Sequence, residues 1–309
     1  MRALDNAKRV GGASALDQAR RALVFGAPAV LATSCMMARG GNAERTPQGK
    51  STFVFDGWDG PPINVHTYAP ARMTSATPFA FIMHGQGRNA DEYRDQWADL
   101  AEAHGLAIAA PEFARKEFPG SNDYNLGRRF DAEGAPLPRE QWSFSSIEPL
   151  FDEIRRRMGL SADRYGIYGH SAGAQFVHRF MLHIPEARVR HAISANAGWY
   201  TLPDPDVEAP FGLGGENMSD ARIQTWLERP MTVLLGTGDI DTEQSSLNRT
   251  EMAMRQGPHR LARGRHFFEA GRARAEALNC TFRWRLAYAP NIPHDNSRMA
   301  LHAVSFLVG

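Results

Sequence analysis

The sequence predicts an α/β fold in which a mostly parallel central sheet carries helices on both faces. Continuous apolar runs, such as residues 79–83 and 231–236, are typical of strands that are buried on both sides. These runs alternate with longer segments of helical periodicity, and an antiparallel hairpin precedes them. Ligands of such sheets bind beyond the carboxyl ends of the strands, so the loops at those ends are the first place to look for chemistry.

Turn residues and helix ends locate the individual elements. Residues 52–55 and 63–68 are rich in β-formers and flank a cluster of Asp, Gly and Pro, which predicts the hairpin. Asn89 begins a helix that runs to His104, and Gly105 ends it. In chain order, the other predicted elements are the strand at 79–83, a strand at 106–110 closed by Pro111, a helix at 147–158, a strand at 165–168, a helix at 174–184, a strand at 192–195, the strand at 231–236, a helix at 266–278, a strand at 282–288 and a helix from Asn296.

Length and composition are those of an ordinary globular chain. Its 309 residues are 43% hydrophobic and 22% charged, with a formal charge of +1. We predict one catalytic domain at residues 46–309, because α/β folds often reach this length without a linker. The near-neutral charge argues against a nucleic-acid partner, and the arginine run at residues 260–265 is interpreted as a solvated helix face.

The sequence offers no metal or cofactor motif. Cys35 and Cys280 are too few for a disulfide framework and lack metal-ligand spacing. His178 and His183 are five residues apart and therefore do not share one helix face. We expect neither a metal nor a cofactor, and the sequence leaves the oligomeric state open.

Residues 1–45 are predicted to be an export signal and linker. Arg20 and Arg21 precede an apolar stretch and then small residues, which is the order of a secretory signal and resembles the twin-arginine motif. The stretch is too short for a stable membrane span. Cys35 and its neighbours faintly resemble a lipoprotein cleavage site, and an N-terminal amphipathic helix at residues 15–38 is the alternative. The expected location is periplasmic or extracellular.

The pentapeptide Gly169-His170-Ser171-Ala172-Gly173 lies between a predicted strand and a predicted helix. A serine at such a turn is forced into a strained conformation, and side chains two positions away on either side would collide with the neighbouring element. Taken alone, the pattern recurs by chance in ordinary turns. In this context it predicts a nucleophile elbow with Ser171 as the nucleophile.

A base and an acid follow the serine, each in a loop after a predicted strand. Asp239 and Asp241 come after residues 231–236, and His294 comes after the next strand. Each residue alone could be an ordinary surface side chain. Serine, acid and histidine in this order predict a catalytic triad, in which His294 is the general base and Asp239, rather than Asp241, orients it.

Backbone amides should stabilise the oxyanion. One is the Ala172 N–H directly after the nucleophile, and we assign the other to the Gln86 N–H in the glycine-containing loop after the strand at 79–83. His84 and His170 are interpreted as supporting residues.

Aromatic residues and long insertions are the expected substrate contacts. Trp199 and Tyr200 follow a predicted strand and should contact substrate, although Trp199 could equally close the core. The irregular segments at residues 122–127 and 201–225 are interpreted as substrate loops.

The chain from about residue 52 to 307 resembles an α/β-hydrolase of the esterase branch that includes secreted polyhydroxybutyrate depolymerases and feruloyl or acetylxylan esterases. The resemblance rests on the motifs at residues 84–87, 165–173, 197–199, 236–239 and 293–294. Members of that branch often have a further glycine where this chain has Ala174, and the cysteine pairs common in secreted members are absent.

The resemblance and the triad together predict a serine hydrolase that cleaves small-molecule or polymeric carboxylic esters through an acyl-enzyme. A peptidase or an acyltransferase on the same fold is the alternative, because the same acyl-enzyme serves all three reactions. A non-catalytic envelope binding protein is the alternative from another class.

Overall fold

A computed structural model describes residues 46–308 of the chain; the predicted export signal and linker at residues 1–45 lie outside the described residues. An eight-stranded sheet, ordered β1-β2-β4-β3-β5-β6-β7-β8, forms the centre of the described part. The strands are β1 (Gly49–Phe55), β2 (Ile63–Ala69), β3 (Phe79–Met83), β4 (Ala107–Glu112), β5 (Tyr165–His170), β6 (Val189–Ala195), β7 (Met231–Gly236) and β8 (Trp284–Ala289).

Of the strands in the described sheet, only β2 runs antiparallel to the others. β1 pairs antiparallel with β2, and β2 pairs antiparallel with β4, whereas every pairing from β4 to β8 is parallel. The carboxyl ends of β3 to β8 therefore meet at one edge, from which the loops with the predicted site residues leave. This is the predicted α/β-hydrolase fold.

Helices cover both faces of the sheet, and they are α1 (Ala90–His104), α2 (Ile147–Met158), α3 (Ala172–His183), α4 (Asp220–Leu227), α5 (Glu251–Arg255), α6 (Arg260–Ala277) and α7 (Asn296–Val308), with short 3-10 turns at Arg139–Gln141 and Ser143–Ser146. Alternate residues of β3 show the two cores directly. Phe79 and Phe81 pack with α2 and α3, while Ala80 and Ile82 pack with α1 and α7. This period of two is what a strand buried on both faces requires.

Several predicted elements differ from the structure, among them β4, α6 and α4. β4 continues through Pro111, which pairs with Val65 of β2 at a point beyond the last residue of β4 paired with β3. Helix α6 begins at Arg260, six residues before the predicted start. Helix α4 begins inside the segment 201–225, which was predicted to be irregular, and ends two residues beyond it. The Ser219 hydroxyl caps this helix by accepting from the Arg222 N–H at 3.3 Å.

Two structural features are absent from residues 46–308. Within this range no helix combines the length and the apolar character that a bilayer crossing needs. The same residues contain no group of three or more His, Cys, Asp or Glu side chains placed to hold a metal ion. Cys280 is half-buried with a free thiol, and burial raises its pKa.

Candidate active site

Ser171 occupies the turn between β5 and α3 with φ +58° and ψ −115°. Its backbone N–H donates to the Ala195 carbonyl of β6 at 3.0 Å, which ties the strained residue to the next strand. A Cβ on Gly169 would lie 2.2 Å from the Gly173 oxygen, and a Cβ on Gly173 would lie 2.1 Å from the Met83 oxygen. Both positions must be glycine for the turn to form.

His294 and Asp239 meet at the ends of β8 and β7. The Asp239 side chain is 2% exposed, and its Oδ2 lies 2.7 Å from His294 Nδ1. Asp241 is exposed, and its Oδ1 accepts from the Glu243 N–H at 2.8 Å instead. Of the two candidate acids, the structure brings Asp239 to the histidine.

Backbone contacts hold the two loops together. The Gly238 N–H donates to the Ile292 carbonyl at 3.0 Å, and a Cβ on Gly236 would approach that same oxygen to 2.3 Å. The close approach brings the loop after β7 against the loop that carries His294. Among residues 46–308 the structure shows no hydrogen bond between the Ser171 hydroxyl and His294, a contact that often tightens only when substrate binds.

A cleft of about 440 Å³ opens beside Ser171, and Gln86, Ala172 and Trp199 line it as well. In the described part of the chain, the amides of Gln86 and Ala172 donate to no protein acceptor. Two free N–H groups beside one hydroxyl are what an oxyanion site requires.

Buried His84 supports the loop that carries Gln86. The ring donates from Nδ1 to the Gly85 carbonyl at 2.9 Å, while Nε2 accepts from the Phe113 N–H at 3.1 Å, so one neutral tautomer satisfies both contacts. Burial lowers its pKa to about 3. His84 therefore has a structural role beside the cleft, as the sequence predicted.

In the described part of the chain, cationic but not acidic side chains line the cleft. Arg88 and Arg115 line it, and no Asp or Glu among residues 46–308 does. Arg88 donates to the carbonyls of Phe113 and Gly120 at 2.7 and 2.9 Å, and Arg115 donates to the Gln86 carbonyl at 2.6 Å. These acceptors are neutral, and among residues 46–308 neither guanidinium group forms an ion pair, although the charge of Asp123 acts on Arg88.

Two further arginines lie behind the cleft wall and are almost fully buried. Arg179 donates to the Asn125 carbonyl at 3.1 Å, and Arg263 donates to the carbonyls of Gly198 and Asn248 at 2.5 and 2.9 Å. Burial lowers the pKa of Arg263 to about 10. Within residues 46–308, Arg88, Arg115, Arg179 and Arg263 form no ion pair, and their positive charge is concentrated around one cleft.

The interpretation of residues 260–265 as a solvated helix face is therefore wrong for Arg260 and Arg263, which are 1% and 0% exposed. Arg265, on the other side of α6, is exposed. The two buried guanidinium groups lie inside because loop carbonyls and a carboxylate provide acceptors that the local sequence does not reveal.

The two aromatic residues predicted to contact substrate lie in different environments. Trp199 lines the cleft while only 8% exposed, with Phe211 packed against it at 4.3 Å and the Arg179 guanidinium 4.1 Å from its ring centre. Tyr200 is fully buried, stacks on Phe267 at 4.5 Å and does not line the cleft. This placement corrects the expectation that Tyr200 contacts substrate, because the chain turns the ring into the core.

Other cleft residues have only a weak sequence signal or none. Asn125 comes from the predicted segment 122–127, but no residue of segment 201–225 lines the cleft. Residues 245–248 form one wall and were not predicted. The polar run after Asp241 was their only signal, and it did not distinguish a cleft wall from a solvated loop.

The fold and the site together define a hydrolase of the α/β class. The defining features are the strained serine, the contact between the histidine and the aspartate, and the mostly parallel sheet. The comparisons with solved structures agree. Poly(aspartic acid) hydrolase-1 from Sphingomonas sp. KT-1 is 46% identical, with a TM-score of 0.83 over 85% of this chain and 100% of that one. The poly(3-hydroxybutyrate) depolymerase LpqC from Bordetella parapertussis is 37% identical, with a TM-score of 0.79 over 84% of this chain and 90% of that one.

The chain belongs to the α/β-hydrolase family, in the depolymerase and esterase branch that contains these two proteins, and it is a hydrolase. An S-formylglutathione hydrolase from Agrobacterium tumefaciens, 14% identical with a TM-score of 0.53 over 85% of this chain and 95% of that one, shares the fold. No family model matched the chain, and the search of curated proteins found no match.

Proposed function

We propose that the enzyme cleaves carboxylic esters through a covalent acyl-enzyme on Ser171, with His294 as base and then acid and Asp239 as the residue that orients it. The observation that carries this proposal is the 2.7 Å contact between Asp239 Oδ2 and His294 Nδ1, at the strand ends beside the strained serine. An Nδ1–H held by the carboxylate leaves Nε2 free to accept a proton.

The reaction follows the geometry. Ser171 Oγ attacks the ester carbonyl carbon and transfers its proton to His294 Nε2, while the Gln86 and Ala172 N–H groups receive the negative oxygen. When the intermediate collapses, the bond to the alcohol oxygen breaks, and His294 returns its proton to that oxygen. Water then attacks the acyl-enzyme in the same sequence, releasing the acid and restoring Ser171.

The positive charge of the cleft favours the hypothesis that the substrate carries anionic groups near the ester. Arg88 and Arg115 are in the wall without ion pairs among the described residues, and Arg179 and Arg263 add charge from behind. A carboxylate in the cleft would receive charge-assisted hydrogen bonds, whereas a neutral acyl chain would not.

A second candidate function is amide hydrolysis in an acidic polymer. The observation that favours it is the same group of cleft arginines without ion pairs among the described residues, together with 46% identity to a poly(aspartic acid) hydrolase. The acyl-enzyme is common to both substrates, so substrate comparison must separate them. Turnover of poly(aspartic acid), of poly(3-hydroxybutyrate) and of a p-nitrophenyl acyl series ranks the candidates.

Ser171→Ala tests the chemistry. We expect ester turnover to fall by roughly a thousandfold to a millionfold with an unchanged circular dichroism spectrum. Ser161→Ala, which removes a hydroxyl that donates only to the Ser75 carbonyl, is the matched control and should retain full activity. More than a tenth of parental turnover in Ser171→Ala would exclude the proposed mechanism.

Arg115→Gln tests the substrate preference. The ratio of kcat/KM for p-nitrophenyl hydrogen succinate to that for p-nitrophenyl butyrate should fall by about tenfold, since a charge-assisted hydrogen bond is lost only for the anionic ester. Lys116→Gln removes the neighbouring charge from a side chain that is 91% exposed, pairs with Glu117 and is outside the cleft. An equal fall of the ratio in both variants would point to general surface charge.

A further inference from the structure

Arg260 is a buried cation in contact with the carboxylate that holds His294. Its Nη1 lies 3.5 Å from Asp239 Oδ1, and the two side chains are 1% and 2% exposed. The other carboxylate oxygen is the one bonded to His294. Asp239 is thus held between a histidine and a guanidinium, one at each oxygen.

The same guanidinium reaches the wall of the cleft. Arg260 Nη1 also donates to Gln244 Oε1, and Nη2 donates to the Ser246 hydroxyl at 3.0 Å. Ser246 lines the cleft beside Ser171. In addition, the Leu261 N–H donates to the Asp239 carbonyl at 3.3 Å, so the start of α6 holds the backbone as well as the side chain of the acid.

We propose that Arg260 is a positioning residue of this active site, which fixes the rotation of the Asp239 carboxylate and connects it to the cleft wall at Ser246. The inference rests on the proposed function of Ser171, His294 and Asp239. A carboxylate held at only one oxygen can rotate about its last side-chain bond, and the imidazole would move with it. Misplacement of a reacting group by about 1 Å can cost a hundredfold in rate.

Arg260 also changes the electrostatics of the reaction. Its positive charge repels the imidazolium that His294 becomes in the transition state. The titratable and charged groups around this pair are His170, Tyr200, Asp241, Arg263 and His294. His170 adds no charge there, because burial, with His294 and Arg260 nearby, holds its pKa well below its usual range.

The experiment is a pH profile of kcat/KM for p-nitrophenyl acetate in the full chain. In Arg260→Gln, kcat should fall about tenfold to a hundredfold. The acid limb of the profile should move to higher pH by about half to one unit, because the charge that opposed protonation is gone. KM should change less than kcat, since Arg260 does not itself line the cleft.

Arg260→Lys keeps the charge but loses the forked contacts. Its kcat should fall while its acid limb stays in place, which separates positioning from charge. Arg265→Gln makes the same charge change on the exposed side of α6 and should leave both kcat and the acid limb unchanged.

An acid limb that does not move in folded Arg260→Gln overturns the proposal, even if kcat falls, since a purely structural role would lower activity without changing the profile. If that variant does not fold, Arg260→Lys decides by the comparison of kcat with KM: a parental kcat, or a KM that changes as much as kcat, overturns the proposal, and a lowered kcat with an unchanged KM supports it. Ser171→Ala is the reference for the proposed function. High residual turnover in that variant would contradict the proposed serine mechanism itself, whereas an unmoved acid limb in Arg260→Gln would contradict only the role of Arg260.

Discussion

His170 lies against His294 with ring centroids 4.4 Å apart and ring planes inclined by 34°. The His170 Nδ1 is 3.3 Å from the Tyr93 hydroxyl, and its buried Nε2 has no partner in the described part of the chain. Burial is the main reason that the pKa of His170 is well below its usual range, with the His294 charge adding to the effect. A neutral ring therefore supports the histidine that we propose as the base.

This contact predicts that His170 supports the reaction without transferring a proton. His170→Phe keeps a flat ring beside His294, and we expect kcat to fall by no more than about tenfold. His294→Phe, the matched variant, should lose about four orders of magnitude or more. Steady-state kinetics on p-nitrophenyl acetate make the comparison. Equal losses in the two variants would require a second proton-transferring histidine.

The two candidate acids should differ strongly in their effect on turnover. Asp239→Asn should lower kcat by about four orders of magnitude, because the amide no longer fixes the proton on His294 Nδ1. Asp241→Asn should cost no more than about tenfold, since within residues 46–308 the Asp241 carboxylate accepts a hydrogen bond only from the Glu243 N–H of its own loop. A larger loss at Asp241 would show that the acid is misassigned while leaving the role of Ser171 intact.

Trp199 should affect large acyl groups more than small ones. Trp199→Ala should raise KM for bulky or aryl acyl esters at least about tenfold more than for acetate, because a buried flat ring provides contact area that acetate does not reach. Trp58→Ala, a half-buried tryptophan away from the cleft, controls for loss of packing. A uniform effect on all esters would indicate damage to the core around Phe211.

The stability of the enzyme should fall between pH 6.5 and pH 5. Burial lowers the pKa of five histidines, so the unfolded chain binds protons in this range that the folded chain does not; they are His84, His170, His178, His183 and His191. For each of these histidines, the unfolding free energy falls by up to about 1.4 kcal/mol per pH unit below pH 6.5. Urea unfolding at several pH values measures the slope.

A glutamine at one of these positions provides the control. His178 donates to the Ala174 carbonyl at 2.9 Å and accepts from the Thr201 N–H at 3.1 Å, contacts that an amide side chain can partly reproduce. His178→Gln should reduce the slope by about a fifth, since it removes one of five such histidines. Carboxylates with a lowered pKa, such as Asp95 and Asp295, lose their contribution to stability only at lower pH. The slope between pH 6.5 and pH 5 therefore reports on the histidines. An unchanged slope in His178→Gln would contradict the assignment.

Periodicity was sufficient to predict the sheet and most helices. The run at 231–236 coincides with β7, and Gly105 ends α1 in a left-handed conformation, because continuous apolar residues and a C-terminal glycine act locally. Helix α4 was missed because its segment has turn residues on the N-terminal side and a short apolar pattern. Local preference could not distinguish it from a loop.

The elbow could also be predicted locally, since the collisions at Gly169 and Gly173 involve atoms that any strand–turn–helix of this kind brings close. The positions of Arg260 and Tyr200 could not. A guanidinium that would cost free energy inside an apolar core is stable where Asp239, Gln244 and Ser246 meet it, and those residues come together only when the loops after β7 fold over α6. Strands and turns follow from neighbours along the chain, whereas the charge of the cleft follows from contacts between segments far apart in sequence.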